Sequence, residues 1–187
     1  MTEPDHRAYW EKGFTWADYL ADEVVAHRGL WEGITKGVRI PTWARERAQA
    51  LEGTWRLLVI SEDWCGDASN TVPLIAGLVG VSPRLEMRVV KRDENLGLMD
   101  AHLTAGARSI PLAILLDEDF RPRGRWGPRP LELQSFVLRE KAEGTRPAQE
   151  IYRDVRTWYA RDRGETTLRE VLEMIEAASR EGVERAG

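Results

Sequence analysis

The middle of the chain alternates short apolar runs with helix-period segments, and this alternation restricts the fold more than any other feature. Trp55-Arg56-Leu57-Leu58-Val59-Ile60-Ser61 is an apolar run of strand length, the pattern of a strand covered on both faces. After the turn Glu62-Asp63-Trp64-Cys65-Gly66-Asp67, residues Val72, Ile75, Ala76 and Val79 recur at the spacing of one helix face, which Gly80 closes. Leu85 to Lys91 alternates apolar and polar residues as a second strand, and Leu96, Met99 and Leu103 return to helical spacing up to Gly106. Pro111 precedes a third apolar strand, Leu112-Ala113-Ile114-Leu115-Leu116. A turn at Asp117-Glu118-Asp119-Phe120 brings Arg121 to Trp126 back as an antiparallel edge strand. Pro128 and Pro130 then open a helix carrying Leu133, Phe136 and Val137. Such alternation implies right-handed crossovers and parallel pairing, with the hairpin adding an antiparallel edge. The expected fold is α/β, a central four-stranded mixed sheet with helices on both faces.

Helical segments flank this unit. Residues 1–53 read as an N-terminal extension in which Thr15 caps a helix bearing Trp16, Tyr19, Leu20 and Val24, with Asp18 completing a capping-box-like pattern and Gly29 ending it. Pro41-Thr42-Trp43 begins another helix. Trp10, Trp16, Trp31 and Trp43 are four of the chain's eight tryptophans, so this extension must bury against the core of residues 54–142. Residues 143–187 form a C-terminal extension of two helices. One begins near Pro147 with Ile151, Val155 and Trp158 on a face. The other is introduced by the capping box Thr167-Leu168-Arg169-Glu170, with Leu168, Val171, Leu172 and Ile175 inward. A length of 187 residues suits one compact domain.

Composition excludes several classes. Cys65 is the only cysteine, so neither an intrachain disulfide nor a zinc site of several thiolates can form, and a cytoplasmic address is expected. Lysine and arginine number 27 against 31 acids, a net charge of -4 that disfavours a nucleic-acid partner. No apolar run approaches the roughly 18 residues of a membrane span, and Met1 to Asp5 carries no export signal. His6, His27 and His102 lie in separate segments without ligand spacing, and no phosphate loop, serine elbow or nucleotide fingerprint is present. Neither a metal nor a cofactor is expected.

The chemistry concentrates at Cys65, between a strand end and a helix start. There a thiol meets unpaired backbone N–H groups at the positive end of the helix dipole, an effect worth up to ~2 kcal/mol that favours the thiolate. Glu62, Asp63 and Asp67 oppose it, because a nearby carboxylate disfavours a second negative charge. Position alone does not sign the net shift; for a redox role of this residue the expectation is a solvent-reachable thiol ionising below the ordinary cysteine value. The alternative is a small buried residue kept for packing.

Trp64-Cys65-Gly66 after a buried strand, Pro73 eight residues past the cysteine, and Ser109-Ile110-Pro111 before the next strand together resemble the thioredoxin-like superfamily. The runs Glu62 to Ala68, Arg92 to Asp100, Leu103 to Gly106, Arg108 to Pro111 and Trp126 to Arg129 are similar to a bacterial thioredoxin-like subgroup with a Trp-Cys-Gly-Asp motif, here in a single-cysteine variant. The resemblance covers roughly residues 55–140 and implies a thioredoxin-like fold with N-terminal and C-terminal helical extensions. It implies Cys65 as nucleophile and a cis Pro111 facing it. Trp64, Gly66, Asp67, Arg108 and Ile110 complete the cleft, with the Ile110 backbone available to an extended substrate. Two departures matter. Ala68 stands where a dithiol enzyme carries its resolving cysteine, and Val59 replaces the family's buried acid.

What remains open to such a chain is a one-thiol cycle with a disulfide-containing protein or a low-molecular-weight thiol as partner or co-substrate. A non-catalytic module that holds an extended peptide is the alternative, and a non-redox transferase acting on a thiol-containing small molecule is a third. For the cluster Arg121, Arg123, Arg125 and Arg129 around Trp126, protection of an edge strand is the expected role, against an anion-binding surface.

Overall fold

The computed structural model describes residues 3–186, with side-chain surroundings through residue 181. Four strands form one sheet in the order β2-β1-β3-β4: β1 (Trp55–Ser61), β2 (Leu85–Lys91), β3 (Leu112–Leu116) and β4 (Pro122–Trp126). β1, β2 and β3 lie where hydrophobic patterning puts them, and β4 lies where the turn at Asp117–Phe120 returns the chain. Every residue of β3, and every residue of β1 except Arg56, is buried; since successive side chains alternate faces, both sides of the sheet centre are covered.

Parallel pairing is confined to β1 and β2; β3 runs antiparallel to β1, contrary to the expectation from strand–helix alternation. The connection between β2 and β3 contains the six-residue helix α6 (Leu96–Ala101), and the chain leaving β2 stays at the same end of the sheet, entering β3 with Leu112 beside Ile60, near the end of β1.

Ahead of β1 come α1 (His6–Lys12), α2 (Trp16–Asp18, prolonged by a π-helical turn Tyr19–Glu23), α3 (Arg28–Gly37) and α4 (Thr42–Gln49). Thr15 Oγ1 accepts from the Asp18 N–H at 3.1 Å, the expected cap. The helix does not continue to Gly29, however. Val24 is extended, His27 has φ 56°, and Gly29 falls in the first turn of α3. The amides that would have continued the helix are used elsewhere: Val25 and Ala26 donate to the Asp63 carboxylate at 2.9 and 2.6 Å. Trp10 and Trp31 are buried in the same hydrophobic core as the sheet, and Trp16 and Trp43 pack half-buried against it. Phe14 pairs with Val89 through two backbone hydrogen bonds, covering the outer edge of β2.

After the β1 turn runs α5 (Gly66–Val79), and after β4 come α7 (Leu131–Glu143), α8 (Ala148–Asp162) and α9 (Glu165–Ala186). Leu168, Val171, Leu172 and Ile175 of α9 join the main core as expected. The capping box at Thr167 does not form, because α9 begins earlier, at Glu165, and Thr167 is buried within its first turn. The Glu170 carboxylate instead accepts from Trp126 Nε1 at 2.7 Å and from the Leu131 N–H at 2.9 Å, capping α7 from a distant part of the chain. Helices α7 and α8 share a small second core of Leu133, Val137, Ile151, Val155 and Tyr159. Tyr159, not Trp158, is the buried aromatic of α8.

Two close approaches fix this arrangement, and each yields a prediction. Gly127 has φ 120°, a conformation that L side chains rarely adopt, and a Cβ there would collide with the Pro111 carbonyl oxygen. The turn after β4 is thereby held against the start of β3. Gly127→Ala should lower unfolding stability by about 2 kcal/mol or more in a denaturant titration, and an unchanged midpoint would refute the close approach.

His6 and His102 meet with their Nε2 atoms 3.0 Å apart, tying α1 to the residue after α6, although the sequence separates them. Burial is the main cause holding both imidazoles below their usual range, His102 at about 4. An unfolded histidine takes up a proton near 6.5 whereas His102 in the folded chain does not, so the stability from this pair is present above that pH and is lost as pH falls toward 4. His102→Gln should accordingly flatten the slope of unfolding free energy between about pH 7 and pH 5, and identical slopes in the two proteins would contradict this.

Candidate functional site

β1 ends in a turn that is anchored from three sides. Trp31 Nε1 donates to the Asp63 carbonyl at 2.7 Å, the Asp63 carboxylate receives the two amides of residues 25 and 26, and Glu62 Oε1 accepts from the Asp93 N–H at 2.8 Å. Below them the Tyr19 hydroxyl reaches Ser61 Oγ at 3.3 Å. The chain then turns into α5 with Cys65 at its N-cap. The thiol donates to the Ile110 carbonyl oxygen at 3.5 Å, and the Ile110–Pro111 peptide is cis. The structure thus brings the cysteine turn and the Pro111 turn face to face.

The electrostatics differ from the expectation at Cys65. The residue is only 8% exposed. Burial is the largest influence and pushes the thiol up; the Ala68 N–H lowers it, the Asp67 carboxylate raises it, and the Asp67 N–H and the Arg129 guanidinium lower it again. The net direction is upward. The helix N-terminus does favour the thiolate, but less than desolvation disfavours it, so an open, easily ionised thiol is not what this turn presents.

Asp67 does not lie on the surface. It is buried, accepting from Arg129 Nε at 2.9 Å and Nη2 at 2.5 Å and from the Tyr159 hydroxyl at 2.9 Å. Arg129 Nη1 also donates to Gln134 Oε1 at 2.9 Å. Burial, followed by the Asp67 charge, pushes the Tyr159 hydroxyl strongly up and keeps it a donor. Gly66 is exposed with open space beside its Cα, and Trp64, 46% exposed, forms a lip beneath the Arg92 guanidinium 4.8 Å from its ring. Arg92 also reaches the Arg108 carbonyl at 3.4 Å, linking this lip to the Pro111 side. The Arg108 side chain itself is turned to Asp100 in a two-point ion pair at 2.6 and 2.8 Å, and Ile110 and Pro111 are buried.

The remaining arginines do not form one basic surface. Arg121 faces Asp119, Arg123 faces Asp117, and Arg125 donates to the carbonyls of His102 and Leu103. Arg129 leaves this group for Asp67. Sequence reasoning missed it there, and missed Tyr159 altogether; the Pro128-Arg129-Pro130 string was the available signal for the first, and an i, i+4, i+8 reading of Ile151, Val155 and Tyr159 for the second. Among the described residues no three metal-binding side chains cluster, and no helix is long and apolar enough to cross a membrane.

A family model described as thioredoxin matches residues 13–146. Among solved structures, a protein of unknown function from Pseudomonas aeruginosa is similar with a TM-score of 0.74 at 23% identity, covering 94% of this chain and 99% of that one. An HIV epitope scaffold is similar with a TM-score of 0.73 at 21% identity, covering 93% of this chain and 99% of its own. Both likenesses speak for the fold alone, extra helices included. No curated protein matches the chain. The four-stranded mixed sheet, the cysteine at the first turn of α5, the cis-proline turn opposite it and the family match over most of the chain lead to one assignment: this chain belongs to the thioredoxin family.

Proposed function

We propose that the protein is a single-thiol disulfide oxidoreductase, or a redox-responsive thiol protein of the same chemistry, with Cys65 as nucleophile. The observation that carries the reading is the 3.5 Å contact between the Cys65 sulfur and the Ile110 carbonyl, at the start of a helix and beside a cis proline. In the cycle, the Cys65 thiolate attacks one sulfur of a mixed disulfide, a new disulfide forms to Cys65, and the other sulfur departs as a thiolate. A low-molecular-weight thiolate then attacks this intermediate and regenerates Cys65. No second protein cysteine is needed, in keeping with Ala68 at the place of a resolving residue. Trp64, Gly66, Asp67, Arg108, Ile110 and Pro111 would shape the cleft in this reading, with Trp64, Gly66 and Arg108 as its exposed parts. A cytoplasmic setting accords with the lone thiol.

The upward push on the thiol sets how the chemistry runs. The resting sulfur is protonated, so ionisation has to accompany substrate approach. Native protein should release glutathione from a peptide–glutathione mixed disulfide at a rate still rising at the pH where a free cysteine is half ionised, about 8.5. Cys65→Ser should abolish that release, and equal turnover by the serine variant would place the chemistry elsewhere. The same burial favours a second reading, a peptide-holding module without exchange. In that case the wild type releases no glutathione, and Cys65→Ser retains any peptide affinity.

A further inference from the structure

Nothing in their sequence spacing joins His6 to His102, yet the fold sets their Nε2 atoms 3.0 Å apart, with ring centroids at 5.3 Å and planes inclined by 58°. Two Zn–N bonds of about 2.0–2.1 Å meeting at the tetrahedral angle place imidazole nitrogens about 3.3 Å apart, so the observed 3.0 Å pair accepts such an ion after an opening of about 0.3 Å. The backbone behind each ring is anchored. His6 opens α1, which the Asp5 side chain caps and whose Trp10 is buried in the main core. His102 follows α6 directly and donates its N–H to the Met99 carbonyl at 3.0 Å. The two nitrogens converge from separate, fixed elements, which is what a ligand set needs for a defined geometry.

The surroundings suit a cation. His6 is buried, and a surface cavity of about 300 Å³ is lined by His6 together with Glu3, Asp5 and Asp119, an approach from solvent bordered by carboxylates. Arg7 and Arg121 also line it but are engaged elsewhere: Arg7 lies over the Phe120 ring at 4.2 Å, and Arg121 faces Asp119 at 3.3 Å. Arg125 donates to the backbone carbonyls of His102 and Leu103. Asp5 is used as the cap of α1, whereas exposed Glu3 has no hydrogen bond or ion pair among the described residues.

We propose that His6 and His102 form a two-imidazole site for a divalent transition-metal cation of the zinc class, which clips α1 to the segment after α6. Among the described residues no third metal-binding side chain joins the pair, so water fills the remaining positions, with Glu3 as the free carboxylate at the cavity. In the metal-free pair one Nε2 donates its hydrogen to the other. For both lone pairs to meet the ion, that proton passes to Nδ1 of its own ring, and each imidazole turns off the line between the nitrogens. Coordination then replaces the shared hydrogen bond without any redox step. The site does not involve Cys65 and stands independently of the single-thiol reading.

The test is calorimetric titration of ZnCl₂ into the full, untagged chain carrying Cys65→Ser, so that the thiol does not compete, at about pH 7.5, where free imidazoles are mostly unprotonated. One zinc ion per chain is expected, with the affinity falling about tenfold or more in His6→Gln and in His102→Gln alike, and unchanged in His27→Gln. Where either substitution unfolds the chain, electron paramagnetic resonance of the parent with one equivalent of Cu²⁺ supplies the second readout, and two equatorial imidazole nitrogens are expected. Absence of zinc binding by the parent, equal affinity in the three histidine variants, a loss confined to His27→Gln, or a copper spectrum with fewer than two imidazole nitrogens overturns the proposal.

Discussion

The sulfur of Cys65 is confined between two pieces of backbone, the first turn of α5 and the carbonyl of Ile110. Most of the surrounding structure serves to hold these two pieces at contact distance. A strand–helix junction supplies free amides on one side, and the cis-proline turn supplies an acceptor on the other. Desolvation makes ionisation of so enclosed a sulfur costly, and the amides recover part of that cost. The net effect on the sulfur is upward, toward the protonated thiol.

Both helical extensions act on this junction from opposite directions. On the N-terminal side, the chain gives up helical hydrogen bonds at Val25 and Ala26 so that these amides can bind Asp63, while Trp31 reaches the same residue's carbonyl from a fully buried position. On the C-terminal side, Tyr159 and Arg129 take hold of Asp67. The two anchored carboxylates lie on either side of the cysteine in sequence. The turn is therefore fixed by residues outside the strand–turn–helix unit that contains it, and the likeness to the solved structures spans the extra helices as well as the sheet.

Much of the fold was legible because burial leaves a local signature. Three strands and the helix after Cys65 follow from hydrophobic patterning, β4 follows from the turn before it, and the resemblance of three short segments anticipated the cis bond at Pro111. What was not legible depends on partners far along the chain. Tyr159 is 92 residues from Asp67, and His6 is 96 from His102. A carboxylate destined for a buried ion pair looks, in sequence, like one destined for solvent. The direction of β3 was likewise hidden, because a strand's apolar pattern reads the same whichever way the strand runs. The end of α2 was misplaced for a related reason, since the amides that break it bind a turn some 38 residues away.

The central claim is that the enclosed sulfur of the folded chain is still open to disulfide chemistry. Intact-mass analysis of native protein after exposure to glutathione disulfide tests it most directly. The account predicts a single glutathione adduct, mapped to Cys65, formed without denaturant and removed by an excess of reduced glutathione. A sulfur that remains unmodified until the chain is unfolded would contradict it.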